Sequence, residues 1–307
     1  MKETLIFGHK NPDTDSILSA IIVANLETKM QNPNVKACSL GKPNKETEFI
    51  LNYFNVAAPE VIDDVSSDDT VILVDHNNFK ESATSIKEAK ILKVIDHHCI
   101  SGFEVAYPIE YTSRPYGCTA TLLYSLYNLN KVEIDKTIAG LMLSCIISDT
   151  LLFNSPTCTP KDKEAAEALA KIANVDINSY GLEMLKAGTD LSSFSSEELI
   201  NLDAKEGELN GKKFIVAQVN TVSIDDVLKN QADLESEIKK VISDRNLDLF
   251  LFAITDIMNC NSKAIVLGNC ASNVEKAYNV KLENNVVFLK GVVSRKKQII
   301  PVLGENL

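Results

Sequence analysis

Short continuous apolar runs alternate with helix-period segments along the first half of the chain, and this alternation narrows the fold more than any other feature. Residues 4–7, 35–40, 71–74 and 91–95 read as strands that are apolar on both faces. Between them, 16–30 (Ile17, Ala20, Ile21 and Ala24 at helical spacing) and 46–54 read as helices. Strands buried on both faces belong to parallel sheets covered by helices on each side. In such sheets ligands bind beyond the carboxyl ends of the strands.

From Gly117 to Lys186 the pattern turns helical, over 119–129, 134–147, 160–174 and 176–186. Lys186-Ala187-Gly188-Thr189-Asp190 breaks the periodicity, and Gly188 fits a helix cap. A new character follows. Asn210-Gly211 between 204–209 and 213–219 is a hairpin signal. Residues 225–245 read as one amphipathic helix; 249–254, 264–267 and 286–289 read as strands. A length of 307 residues gives about two domains. The expectation is an α/β chain: a parallel-sheet domain over 1–188, a linker over 189–194, and a smaller α/β domain with a mixed sheet over 195–307.

The net charge of −11 disfavours a polyanionic partner such as DNA or RNA. A small phosphate substrate is not excluded, because bound cations or a local basic pocket override the mean field. No signal-peptide apolar segment follows Met1-Lys2-Glu3, and the longest apolar stretch, 138–147, is too short to span a bilayer. Seven scattered cysteines without a C-x-x-C pair argue against a disulfide framework or a zinc–thiolate site. The expected setting is the cytoplasm.

Only four histidines occur, His9, His76, His97 and His98, each just past a predicted strand and near an aspartate. The clusters are Gly8-His9-Lys10-Asn11-Pro12-Asp13-Thr14-Asp15-Ser16, Asp75-His76-Asn77-Asn78 and Asp96-His97-His98; Ser148-Asp149-Thr150 is a fourth, at the end of the apolar helix. Parallel neighbouring strands would bring these ends to one sheet edge. Carboxylates packed so closely resist ionisation unless cations neutralise them. Carboxylate and imidazole donors without thiolates suit Mn²⁺, Mg²⁺ or Co²⁺. Asp13, Asp15, Asp75 and Asp149 balance two divalent ions, and a pair of ions about 3.5–4 Å apart shares a water that they acidify toward a pKa of ~7. Hydroxide aimed in line at phosphorus is what phosphoryl hydrolysis requires. The basic run Ser294-Arg295-Lys296-Lys297 and the more isolated Lys205 offer phosphate donors in the second domain, which places the expected site in a closing cleft between the domains.

These residues, in this order, resemble the family II inorganic pyrophosphatases of the DHH phosphoesterase superfamily. The resemblance runs nearly end to end. It also covers Ser113-Arg114-Pro115-Tyr116-Gly117 and Ser294-Arg295-Lys296-Lys297-Gln298. It implies a DHH domain followed by a DHHA2 domain. His9, Asp13 and Asp75 would hold one metal; Asp15, Asp75, His97 and Asp149 the other. His98, Lys205, Arg295 and Lys296 would bind phosphate, with His98 protonating the leaving group. The implied reaction is hydrolysis of diphosphate to two phosphates by a metal-bridged hydroxide, with Asp75 shared between the ions and no covalent intermediate. Mn²⁺ or Co²⁺ would fill the two sites, Mg²⁺ would arrive with substrate, and the chain would form a homodimer.

Blander readings stand beside these. His9 could cap a helix, and Asp15 or Ser16 could be the N-cap of the first helix. His76 and Asp96 read as supporting residues. Lys205 and Lys297 fit a solvated surface. Exopolyphosphatase relatives tend to have Asn where His9 stands, and oligonucleotide-cleaving relatives carry a Gly-Gly-Gly-His segment that is absent here.

Overall fold

The computed structural model describes residues 2–306, apart from the side chains of Lys296 and Lys297. The chain divides into two compact units at Gly188/Thr189.

The first unit contains β1 (Thr4–Phe7), α1 (Thr14–Lys29), β2 (Val35–Ser39), α2 (Lys45–Tyr53), β3 (Glu60–Val61), β4 (Thr70–Val74), β5 (Lys90–Asp96), β6 (Glu110–Ser113), and helices α3 (Thr119–Leu129), α4 (Lys136–Thr150), α5 (Pro160–Ala173) and α6 (Ile177–Gly188). Its six strands form one parallel sheet in the order β3-β2-β1-β4-β5-β6. Chain direction across the sheet reverses between β1 and β4, where the loops leaving adjacent strands diverge and leave a crevice. Val71, Leu73 and Val74 are fully buried, as are Ile6 and Phe7. Both faces of the central strands are therefore covered, as their unbroken apolar sequence requires.

Helix α4 is apolar on every side. Ala139 and 141–147 are fully buried, and the helix packs against α1, α3 and α5. A helix without a polar face belongs inside. Each fully enclosed Leu, Ile or Met contributes about 1.5–3 kcal/mol relative to exposure. This helix runs to Thr150 rather than ending at Ile147, so Ser148 and Asp149 lie in its last turn.

The second unit contains α7 (Ser196–Asn201), β7 (Ala204–Leu209), β8 (Lys212–Thr221), α8 (Ile224–Leu228), α9 (Gln231–Arg245), β9 (Leu249–Asp256), β10 (Asn261–Leu267), α10 (Ala271–Tyr278), β11 (Val286–Leu289) and α11 (Ile300–Gly304). Its five-stranded sheet is mixed: β8 and β9 are parallel and the other pairs antiparallel. The β7–β8 hairpin turns through Asn210 and Gly211 with φ of 50° and 75°, the left-handed pair that a two-residue loop needs.

Two element expectations need correction. The single helix over 225–245 is two, broken at Lys229 and Asn230. The strands β3 and β6 were not signalled by sequence; both are short edge strands with few apolar residues. Among the described residues no helix is long and apolar enough to cross a membrane.

Candidate metal centre

Four stretches of the first unit meet at the carboxyl ends of β1, β4 and β5. After β1, Asp13 caps α1, its Oδ1 accepting the N–H of Ser16 at 3.0 Å. The N-cap is thus Asp13, neither Asp15 nor Ser16. A Cβ on Gly8 would sit 2.1 Å from Ser16 Oγ, so only glycine lets the helix start this close to the strand. The other oxygen of Asp13 faces His9 Nε2 at 3.5 Å, and Asp75 Oδ2 faces the same nitrogen at 3.5 Å. Asp75, directly after β4, has φ 57°, a left-handed backbone that aspartate tolerates better than most residues. Its N–H still bonds Ile95 O at 2.9 Å, and its carboxylate is buried.

Past β5, His97 Nε2 lies 3.4 Å from Asp75 Oδ1 and 3.9 Å from Asp149 Oδ2. Asp15 is fully buried in the first turn of α1; Ser19 Oγ donates to its Oδ1 at 2.8 Å and Thr119 N to its Oδ2 at 2.7 Å. Ligand atoms of His9, Asp13 and Asp75 lie within 4.8 Å of one another, as do those of Asp15, His97 and Asp149. All six residues that sequence reasoning nominated for metal are therefore together. Asp13, Asp75, His97 and Asp149 border a recess of about 200 Å³ that also has His98, Gly117 and Thr157 in its wall. A larger recess, about 810 Å³, opens beside Phe79, Phe103 and Tyr107, but it gathers no such set of donors.

The histidine tautomers fit a metal. His9 Nδ1–H donates to Lys10 O at 2.9 Å, and His97 Nδ1–H to Tyr116 O at 3.0 Å. Each ring thereby turns the lone pair of Nε2 toward the carboxylates, as metal-bound histidines do. The titration pattern carries the same message. Burial alone would neutralise Asp75, but His9 and His97 overcome it and hold its carboxyl below the usual range. Burial, with Asp75 next, raises Asp15 to about 6. Burial, then Asp15 and Asp75, pushes Asp149 well above the ordinary value. Burial disfavours charge on His9 and His97, yet the aspartates raise them to about 11 and 9. Protons on both sides of the cluster thus stand where cations would. Oxygen and imidazole donors fit divalent ions of the Mn²⁺ and Mg²⁺ kind.

His98 differs from His97. Its Nδ1 donates to Asp96 Oδ1 at 2.9 Å, and its ring is half-exposed. Asp75 Oδ1 is 3.7 Å from the same nitrogen, but the shorter bond to Asp96 occupies it. Asp96 raises the His98 pKa above its ordinary value. Asp96 is itself buried and is held by Asn77 Nδ2 at 2.5 Å. His76 stays out of the cluster: it bonds Val74 O at 2.8 Å and packs its ring near Phe7 and His9.

Lys205 and Arg295 belong to the second unit. Lys205 is exposed on the edge strand β7. Arg295 opens a π-helical turn, is largely buried, and pairs with Asp203 Oδ1 at 2.7 Å while also bonding the Asp203 carbonyl. Among the described residues its Nε has no partner. The side chain of Lys296 lies outside the described residues.

Sequence reasoning missed several residues at the centre. Thr119 touches both Asp15 and Asp75. Glu46, on α2, accepts from Thr14 Oγ1 at 2.7 Å and Ser148 Oγ at 2.5 Å, joining the neighbours of Asp13, Asp15 and Asp149. Asn77 was inside a noted motif; Glu46 had no signal beyond lying in an amphipathic helix.

Comparison with known proteins agrees with this geometry. Residues 3–146 match the DHH family, N-terminal domain, and 182–306 match the DHHA2 domain. The chain is 55% identical over 308 residues to a manganese-dependent inorganic pyrophosphatase of Bacillus subtilis (strain 168), covering 100% of this chain and 99% of that one. It superposes with a TM-score of 0.67 on the crystal structure of a Methanococcus jannaschii protein assigned to family II inorganic pyrophosphatases, at 40% identity over 100% of this chain and 99% of the other. An exopolyphosphatase-related protein from Bacteroides fragilis shares the fold, with a TM-score of 0.52 and 15% identity over 99% of this chain and 91% of that one.

Proposed function

The chain belongs to the family II inorganic pyrophosphatases, and from that premise we propose that it hydrolyses diphosphate to two phosphates with Mn²⁺ as its resident metal. The single observation that carries this reading is the convergence of six oxygen and imidazole donors, His9, Asp13 and Asp75 in one set and Asp15, His97 and Asp149 in another, with Asp75 close to both His9 and His97. His9, Asp13 and Asp75 would hold one ion; Asp15, Asp75, His97 and Asp149 the other. When bound, the ions neutralise the carboxylates, acidify water and accept substrate oxygens.

The chain's own residues do the rest. Thr119 and Ser19 fix the two buried carboxylates in direction. Lys10 O and Tyr116 O fix the tautomers of His9 and His97. His98, whose pKa Asp96 raises above its ordinary value, is the residue that would give a proton from Nε2 to the departing phosphate oxygen. Phosphate binding is assigned to His98, Lys205, Arg295 and Lys296, with Mg²⁺ entering on the substrate. Water attacks directly, so no residue is phosphorylated. A cytoplasmic homodimer, without nucleic acid or membrane partners, completes the proposal.

The test is phosphate release from diphosphate by chelated protein before and after Mn²⁺ is added, alongside tripolyphosphate and a dinucleotide. Mn²⁺-dependent turnover with diphosphate preferred is the expected result. Absence of Mn²⁺-dependent turnover, or preference for tripolyphosphate, overturns it.

A further inference from the structure

The segment Ser113-Arg114-Pro115-Tyr116-Gly117 has no place among the metal or phosphate residues, yet it and Thr119 touch three of them. Tyr116 O takes the Nδ1 proton of His97 at 3.0 Å. Thr119 N bonds Asp15 Oδ2 at 2.7 Å, and Thr119 Oγ1 bonds Asp75 Oδ1 at 2.9 Å. This stretch joins a short edge strand to α3, and neither the strand nor a side chain of its own explains why it stays so fixed.

Its anchor lies behind it. Asp162, in the first turn of α5, is fully buried. Its Oδ2 accepts Gly117 N at 3.0 Å, and its Oδ1 accepts Thr121 Oγ1 at 2.6 Å. Thr159 adds its N–H and hydroxyl to Oδ2, each at 2.6 Å, closing the capping box of α5. A helix cap needs only the contacts with Thr159. The bonds to Gly117 and Thr121 reach a different element and bracket Thr119 from both sides in sequence. The approach is close: a Cβ on Gly117 would meet Asp162 Oδ2 at 2.8 Å and Thr157 O at 3.1 Å.

We propose that Asp162 is a positioning residue for the metal centre, holding 117–121 so that Tyr116 O and Thr119 orient His97, Asp15 and Asp75. The proposal rests on the two-ion reading above. It has a directional consequence. His97 and Asp15 both belong to the set completed by Asp149, whereas His9 is oriented by Lys10 O and Asp13 by the start of α1. Asp75 serves both ions, so loosening Asp162 weakens the His97 ion, which loses the orientation of three ligands, more than the His9 ion, which loses that of one.

Mn²⁺ binding to chelated full-length protein, followed by calorimetry, tests this in four proteins: wild type, Asp162→Asn, Thr121→Val and Thr121→Ser. Thermal unfolding without metal is recorded beside it. Thr121→Val removes one hydroxyl and covers the case in which Asp162→Asn fails to fold. The weakened step is identified by repeating Thr121→Val in a His9→Ala background, which disables the other ion. Asp162→Asn and Thr121→Val are expected to weaken the His97 step about 10–100-fold, the usual effect of losing a group that orients metal ligands. Thr121→Ser is expected to bind as wild type does. Unchanged Mn²⁺ steps with a lowered unfolding temperature, or equal weakening of both steps, overturn the proposal. A wild-type protein that takes up fewer than two Mn²⁺ overturns the two-ion reading itself and the proposal with it.

Discussion

Asp15→Asn should make the metal-free protein more stable while destroying its use for Mn²⁺. Asp15 is fully buried, and burial together with Asp75 raises its pKa from 3.8 to about 6. A carboxyl whose folded pKa lies above its unfolded value favours folding only while protonated. Stability is lost as pH rises from the unfolded value through the folded one, and above pH 6 the loss is complete. The difference corresponds to about 3 kcal/mol at pH 8 and roughly half that at pH 5. Asparagine removes the charge and keeps the bonds. Its Oδ1 accepts Thr119 N–H, and its Nδ2 donates to Ser19 Oγ, a hydroxyl able to accept. For a unit of this size, about 3 kcal/mol corresponds to a rise in Tm of roughly 6–12 °C. The assay is calorimetric unfolding of both proteins in chelator at pH 5 and pH 8, repeated with Mn²⁺. In Mn²⁺ the order reverses, because ligand binding stabilises only the protein that binds it. A variant no more stable than wild type at pH 8 in chelator, or an advantage that does not shrink at pH 5, refutes the reasoning.

Two other substitutions probe different parts of the centre. Asp96→Asn removes the main cause of the raised His98 pKa, so the alkaline limb of kcat in Mn²⁺-saturated enzyme should move to lower pH; an unmoved limb counts against His98 as the proton donor. Glu46→Ala strips the shared acceptor from Thr14 and Ser148 and should weaken Mn²⁺ binding about 10-fold, measured by calorimetry, while Glu46→Gln, which keeps an acceptor oxygen, should stay close to wild type.

The sequence was most legible where backbone pattern and chemistry coincide. The central strands announce themselves by apolar runs, and their ends by histidine beside aspartate, so the ligand stretches were readable in one dimension. Reading failed where a residue's partner is remote. Asp162 stands in Pro160-Lys161-Asp162-Lys163-Glu164, which looks like a solvated helix start; only the return of α5 onto Gly117 buries it. Glu46 sits among the polar residues of a short amphipathic helix, and its neighbours Thr14 and Ser148 are far away in sequence. The strand β6 carries no apolar signal because Glu110-Tyr111-Thr112-Ser113 is largely polar, which an edge position permits. The basic run at 294–297 gave composition but not geometry: Arg295 is engaged by Asp203, a residue no pattern connected with it.

The donors of the centre are distributed from His9 to Asp149, the last of them in the final turn of an enclosed helix. No short nascent peptide therefore contains a competent chelate. During synthesis the polypeptide must emerge past α4 and collapse around it before both ions find their full coordination sets, the opposite order from small domains that a metal pulls into shape. The identity of the captured ion is then set by the donors of an already folded chain together with the divalent metals available to it.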